Sequence, residues 1–158
     1  MKEYDNYKTS ELISAINEIV KFGIQPGLTI PGRDRLLEKN LIKIYNLYFE
    51  IHYEYDDKEY PDFDKTQFPD INYNIKSNFK EFGFYKTILD FNNIDNAEIG
   101  LGDAIDDLSD IILDLLEIKW RIENNSLNDG LWFFEIIFPF HTQQHILNLI
   151  NYMKQKKE

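Results

Sequence analysis

The sequence predicts an all-α fold: one domain of about five helices, residues 1–158, with a long acidic loop between the second and third helices. Three observations carry this expectation. Apolar residues recur at helical spacing in several separate stretches. No run of alternating β-branched residues lies between hairpin turns. A chain of 158 residues, 43% of them apolar, has the length of one ordinary domain and enough hydrophobic side chain to bury a sizeable core.

The elements follow in order. Thr9 or Ser10 is placed to cap a first helix in which Leu12, Ile13, Ile16, Ile19 and Val20 share a face, with Gly23 as its stop. Pro26-Gly27 and Pro31-Gly32 are two turn signals that make residues 24–32 a rigid loop. A second helix is predicted from Asp34 to His52, burying Leu36, Leu37, Leu41, Ile44, Tyr45, Tyr48 and Ile51. From Tyr53 to Asp70 acids alternate with aromatics and are broken by Pro61 and Pro69. No period survives there, so this is a loop whose rings pin it to the body.

Ile71, Ile75, Phe79 and Phe82 restore helical spacing up to Gly83. Residues 84–91 fit either a turn of helix or a strand, and helix is the expectation. Residues 92–102 read as loop, and Asp103 opens an amphipathic helix running to about Glu123, with Lys119 on its apolar side. After a turn over residues 124–130, an apolar run from Leu131 to Phe140 begins the last helix. Its first half is expected to be the most buried piece of the chain, and Pro139 to kink or divide it. Residues 154–158 form a frayed basic tail.

Charge narrows the function classes. Seventeen basic against 28 acidic residues leave a formal charge of −11, which disfavours nucleic acid and anionic membrane and suits a basic protein partner or a divalent cation. There is no cysteine, so disulfides, zinc thiolates and thiol nucleophiles are ruled out. The start, MKEYDNYK, is charged from its second residue, and no run approaches the ~20 apolar residues of a membrane span. A cytoplasmic protein is expected.

The most distinctive feature is a stripe of aspartates. Asp103, Asp106, Asp107, Asp110 and Asp114, with Glu117, fall on roughly a third of one helix's circumference at ~100° per residue. Like charges at these spacings each cost a few tenths of a kcal/mol. The stripe is read as an outward-facing ribbon that needs a compensating partner.

Other constellations sharpen or exclude chemistries. Asp106-Asp107-Leu108-Ser109-Asp110 spells the aspartate-rich signature of isoprenoid synthases, but the chain is about half the length those enzymes need and lacks a second motif. A small all-α pyrophosphohydrolase would use Asp103, Asp107, Asp110 and Asp114 to hold magnesium or manganese. For the facing acids helix two offers only Glu38 and Glu50, too far apart to share an ion, and helix one Glu11 and Glu18, seven residues apart. No phosphate-binding basic pocket accompanies them. His141 and His145 stand four apart. Thr142 occupies the place of the glutamate a metalloprotease requires, which excludes that activity. A contact of these histidines with Asp110 or Asp114 would relieve the stripe and raise the histidine pKa values; a metal shared among Asp107, Asp110, Asp114, His141 and His145 is the alternative. Trp120, Trp132, Phe133, Phe134 and Phe138 read as core.

Phe79, Gly83 and Tyr85, then the run Ile105 to Leu115, then Leu131-Trp132, then His141 and His145 together resemble the bacterial domain of unknown function 5063 family, over roughly Phe68 to Tyr152. The chain departs from that pattern at Thr142, where such proteins often carry tryptophan. The resemblance implies a small helical cytosolic protein and no established activity.

The expected function is therefore non-enzymatic protein binding, of the kind seen in immunity proteins and inhibitors, without a cofactor. The contact surface is expected to comprise Asp103, Asp106, Asp107, Asp110 and Asp114 with Tyr55, Tyr60 and Phe63 of the loop. The alternative is a magnesium- or manganese-dependent phosphohydrolase on the same aspartates.

Overall fold

The computed structural model describes residues 2–156, with side chains described from Tyr7 onward. Its helices are α1 (Lys2–Ile24), α2 (Arg33–Glu50), α3 (Ile71–Asn78), α4 (Ala104–Asn124), α5 (Leu127–Ile137) and α6 (Gln143–Lys156). A π-turn, Phe138–Thr142, splices α5 to α6 without interruption, so the helices form five rods. The chain is mostly helical, but it is not all-α. Two strands, β1 (Phe84–Ile88) and β2 (Ile99–Asp103), pair antiparallel with Tyr85 opposite Gly102 and Ile88 opposite Ile99.

Strand pairing replaces the helix expected over residues 84–91, for a local reason. Tyr85, Thr87 and Ile88 favour extended backbone, and glycine in β2 lets rings of β1 lie across it. A Cβ at Gly102 would stand 2.3 Å from Tyr85 Cζ. The end of the expected 92–102 loop is correspondingly strand.

α4 is the central rod, packed on α1, α3, α5 and α6, while α2 closes over α1 and α6. Leu108, Ile111, Ile112 and Leu115 of α4 meet Leu12, Ile16 and Ile19 of α1, Leu37, Leu41 and Ile44 of α2, and Ile146 and Leu149 of α6 in one fully buried cluster. Each such side chain contributes about 1.5–3 kcal/mol of transfer free energy.

The end of α1 differs from expectation in an informative way. The helix starts upstream of Thr9, because nothing in the preceding residues breaks it. Gly23 lies inside it as a contact glycine, where a Cβ would sit 3.0 Å from the Ile112 side chain. The chain instead turns at Gly27 and Gly32, at φ of 64° and 65°, the two Pro-Gly pairs of the sequence. Asparagines of α3 satisfy the last carbonyls of α1. Asn74 Nδ2 donates to Gly23 O, and Asn78 Nδ2 donates to Phe22 O and Gln25 O while its Oδ1 accepts from Leu28 N–H.

α3 ends at Asn78, earlier than the spacing suggested. Phe79 and Phe82 stack on each other at 4.5 Å in the following turn. In the last rod, Phe138 and Phe134 are buried but Ile136 and Pro139 are exposed, as is Phe140 at 86%. This run is not the most buried piece of the chain; that place belongs to α4. At Pro139 the regular helix gives way to the π-turn, which keeps the rod hydrogen-bonded from α5 into α6. Pro139 lacks the N–H of a regular turn, and the backbone widens so that Gln143 N–H reaches Phe138 O. No helix among the described residues is long and apolar enough to cross a membrane.

Candidate functional site

α4 begins where Asp103 accepts from Ile105 N–H at 2.9 Å, a side-chain cap. Asp106 and Asp107 occupy the first turn, at the favourable positive end of the helix dipole. The stripe is wound as expected, with its acids on one face, but that face is not an outward ribbon. Asp107, Asp114 and Glu117 are 5%, 2% and 7% exposed. Glu117 is covered at the α5 side by Arg121. The rod formed by the π-turn and α6 lies against the two aspartates, which are thereby withdrawn from any contact surface.

Their partners come from that rod. His145 Nδ1 donates to Asp107 Oδ1 at 2.8 Å, and His141 Nδ1 donates to Asp114 Oδ2 at 2.8 Å. Thr142 Oγ donates to the same Asp114 oxygen at 2.7 Å. From the hairpin, the Tyr85 hydroxyl donates to Asp107 Oδ2. Asp110 lies between, half-buried, with Oδ2 3.4 Å from His145 Nε2. The two imidazole rings sit 4.6 Å apart edge to face. One ligand atom from each of Asp110, His141 and His145 lies within 4.8 Å of the others.

The electrostatics follow from this packing. Hydrogen bonding to Asp107 raises the His145 pKa against the opposing effect of burial, and Asp110 adds to the rise. Burial also raises the Asp110 pKa, with His145 pulling it down and Asp106 and Asp114 pushing it up. Burial and the Asp107 carboxylate together raise the Tyr85 hydroxyl, which therefore stays a donor.

Asp103 and Asp106 stand outside this cluster, and so do the loop residues expected to share a surface with it. Tyr55 is exposed against Trp132 at 5.2 Å between ring centres. The Tyr60 hydroxyl donates to Asp56 Oδ2, which also accepts from Ser126 Oγ at 2.5 Å. Phe63 packs on Phe68 and Trp120. The rings pin the loop to the body.

Two members of the cluster were not singled out as site residues by sequence reasoning. Thr142 continues the buried series Phe138, Ile146 and Leu149, and a hydroxyl on that stripe is the signal of a buried acceptor. Tyr85 gives no local signal, because its role depends on the hairpin. A separate polar knot closes the α4–α5 corner: Arg121 bonds Glu117 at 2.8 Å and Asp129 at 3.3 Å.

Comparison with known protein families, with curated proteins and with solved structures finds no match.

Proposed function

We propose that this chain is a protein-binding domain whose contact surface is the outer face of the β1–β2 hairpin. The observation that carries this reading is a bare apolar face. Phe84, Ile88, Ile99 and Leu101 all point to solvent from one side of the two-stranded sheet, and Phe91 and Ile94 at its tip are 78% and 87% exposed. A two-stranded sheet gains little stability by itself, and clustered exposed apolar side chains mark interaction sites.

Charge selects the occupant. Lys86, paired with Leu101, and Asp103, paired with Phe84, share the face, and Asp90, Asp95, Glu98 and Asp106 neighbour it along the sequence, in a chain of net charge −11. A second copy would bring like charges together. A partner protein with an apolar patch bordered by lysine and arginine complements both features. An inhibitor or toxin-neutralising role is the form of this reading in which the partner is itself an enzyme.

The phosphohydrolase reading has less support. Asp107 and Asp114 already accept from His145, His141, Thr142 and Tyr85, which leaves Asp110 and Asp106 as acids for a hard, hydrated cation.

The test compares wild type with a Phe91→Ser, Ile94→Ser double variant, both checked for unchanged helicity. Wild type is expected to capture a basic protein in a complex that weakens with salt, and the variant is expected to lose it. Equal capture by both, or self-association of the wild type, overturns the reading.

A further inference from the structure

We propose that Asp110, His141 and His145 form a binding site for a first-row divalent transition metal of the zinc class. The site stands on different residues from the hairpin surface, and neither reading needs the other.

A metal-binding histidine presents one ring nitrogen to the ion and donates the other ring N–H to a carboxylate or carbonyl, which fixes the ring and its tautomer. Both histidines here have that second contact in place: Nδ1 of His141 is held by Asp114 and Nδ1 of His145 by Asp107, each at 2.8 Å. The two carboxylates are themselves fixed, Asp114 by Thr142 and Asp107 by Tyr85. The anchoring takes up Nδ1 on both rings and leaves Nε2 on both as the available ligand nitrogen.

The third ligand lies between them. Asp110 Oδ2 stands 3.4 Å from His145 Nε2. Bonds of about 2.1 Å in tetrahedral geometry space two ligand atoms about 3.4 Å apart. One ligand atom from each of the three residues lies within 4.8 Å of the others, and closing the trio to bonding distance requires side-chain movement on the order of 1 Å, comparable to ordinary thermal amplitude.

Ligand chemistry sets the class of ion. Two imidazoles and one carboxylate suit zinc, iron, cobalt, nickel or manganese, whereas magnesium and calcium prefer oxygen. The His141 and Asp110 side chains are 42% and 33% exposed, so the ion would retain an open position toward water. A site of three protein ligands with one open position is the arrangement of catalytic rather than structural zinc.

Both histidines meet one helix from a single rod. His141 belongs to the widened turn and His145 to the regular helix after it, and together they span Asp107, Asp110 and Asp114 over two turns of α4.

The test uses tag-free protein stripped with chelator. Zinc is titrated by calorimetry and cobalt by visible absorption. Wild type is expected to bind one equivalent of each at micromolar concentration and to develop cobalt d–d bands, with millimolar magnesium failing to compete. Asp110→Ala and His141→Ala change partly exposed positions, and circular dichroism checks their fold. Each is expected to lose the bands and at least 10-fold in affinity. Asp114→Asn, which leaves the three ligands in place but disturbs the support of His141 along with the Thr142 bond, is expected to weaken binding about 10- to 100-fold. Absence of stoichiometric binding by wild type, or unchanged binding by folded Asp110→Ala and His141→Ala, overturns the proposal.

Discussion

Thr142 donates to Asp114 at 2.7 Å across the interface between α4 and the π-turn, and both residues are shielded from water. Thr142→Val keeps the shape and removes the donor. The bond goes to a charged acceptor, so its loss is expected to cost about 1.5–3 kcal/mol. Urea denaturation of the two proteins measures it.

Arg121 is held between Glu117 and Asp129 at the α4–α5 corner. Burial works against its charge, but the two carboxylates outweigh that effect and raise its pKa. Arg121→Met would strand Glu117 as a buried acid without its cation. The expected destabilisation is about 3 kcal/mol, at the low end of what breaking a buried pair costs. A Glu117→Gln, Arg121→Met double variant is expected to recover part of the loss, and a double-mutant cycle reads that coupling directly.

Gly130 lies inside α5 where the helix crosses α4, and a Cβ there would sit 2.3 Å from Ile122 Cγ1 and 2.9 Å from Ile118 O. Gly130→Ala therefore forces the helices apart, at an expected cost of about 1–3 kcal/mol. Gly83 has open space around its Cβ position and does not adopt a positive φ, so Gly83→Ala serves as the neutral control. Thermal melts of both variants show whether the loss comes from the crowded site rather than from adding a methyl group to a glycine.

The acidic loop is tethered through Asp56, whose pKa is lowered first by Ser126 and then by Tyr60. A lowered folded-state pKa means the tether contributes fully above the ordinary carboxylate value of 3.8. That contribution is lost as pH falls below it through the folded-state value. Trp132, against Tyr55 of the same loop, reports detachment. Its fluorescence is expected to hold steady from neutral pH to about 4 and to change below that, and Asp56→Asn is expected to abolish the acid transition.

Much of the architecture is readable from residue spacing, because α1, α2 and α4 each carry an apolar stripe that has one way to be buried. The hairpin is not, since Tyr85 and Leu89 find their places only against glycines of β2, a pairing that a reading of residues 84–91 alone does not contain. Spacing alone places the aspartates of α4 on one face. It does not say whether that face is covered, which is decided by His141, Thr142 and His145 of a different rod. The contact between those histidines and the acids was legible as chemistry, since two imidazoles and a carboxylate stripe complement each other. Its register was not, because it depends on how Pro139 winds the backbone.

That winding sets the phase of the whole C-terminal rod. The widened turn accommodates one residue more than a regular turn, so deleting Pro139 would return the rod to ordinary α-helix with its flanks still in phase. Adding a residue would instead rotate everything beyond it by about 100°, and His145 would swing away from the acids while Phe134 and Phe138 kept their seats. Residues 138–142 therefore carry a one-sided tolerance to changes of length, unlike the loop at 53–70, where no helical phase is at stake.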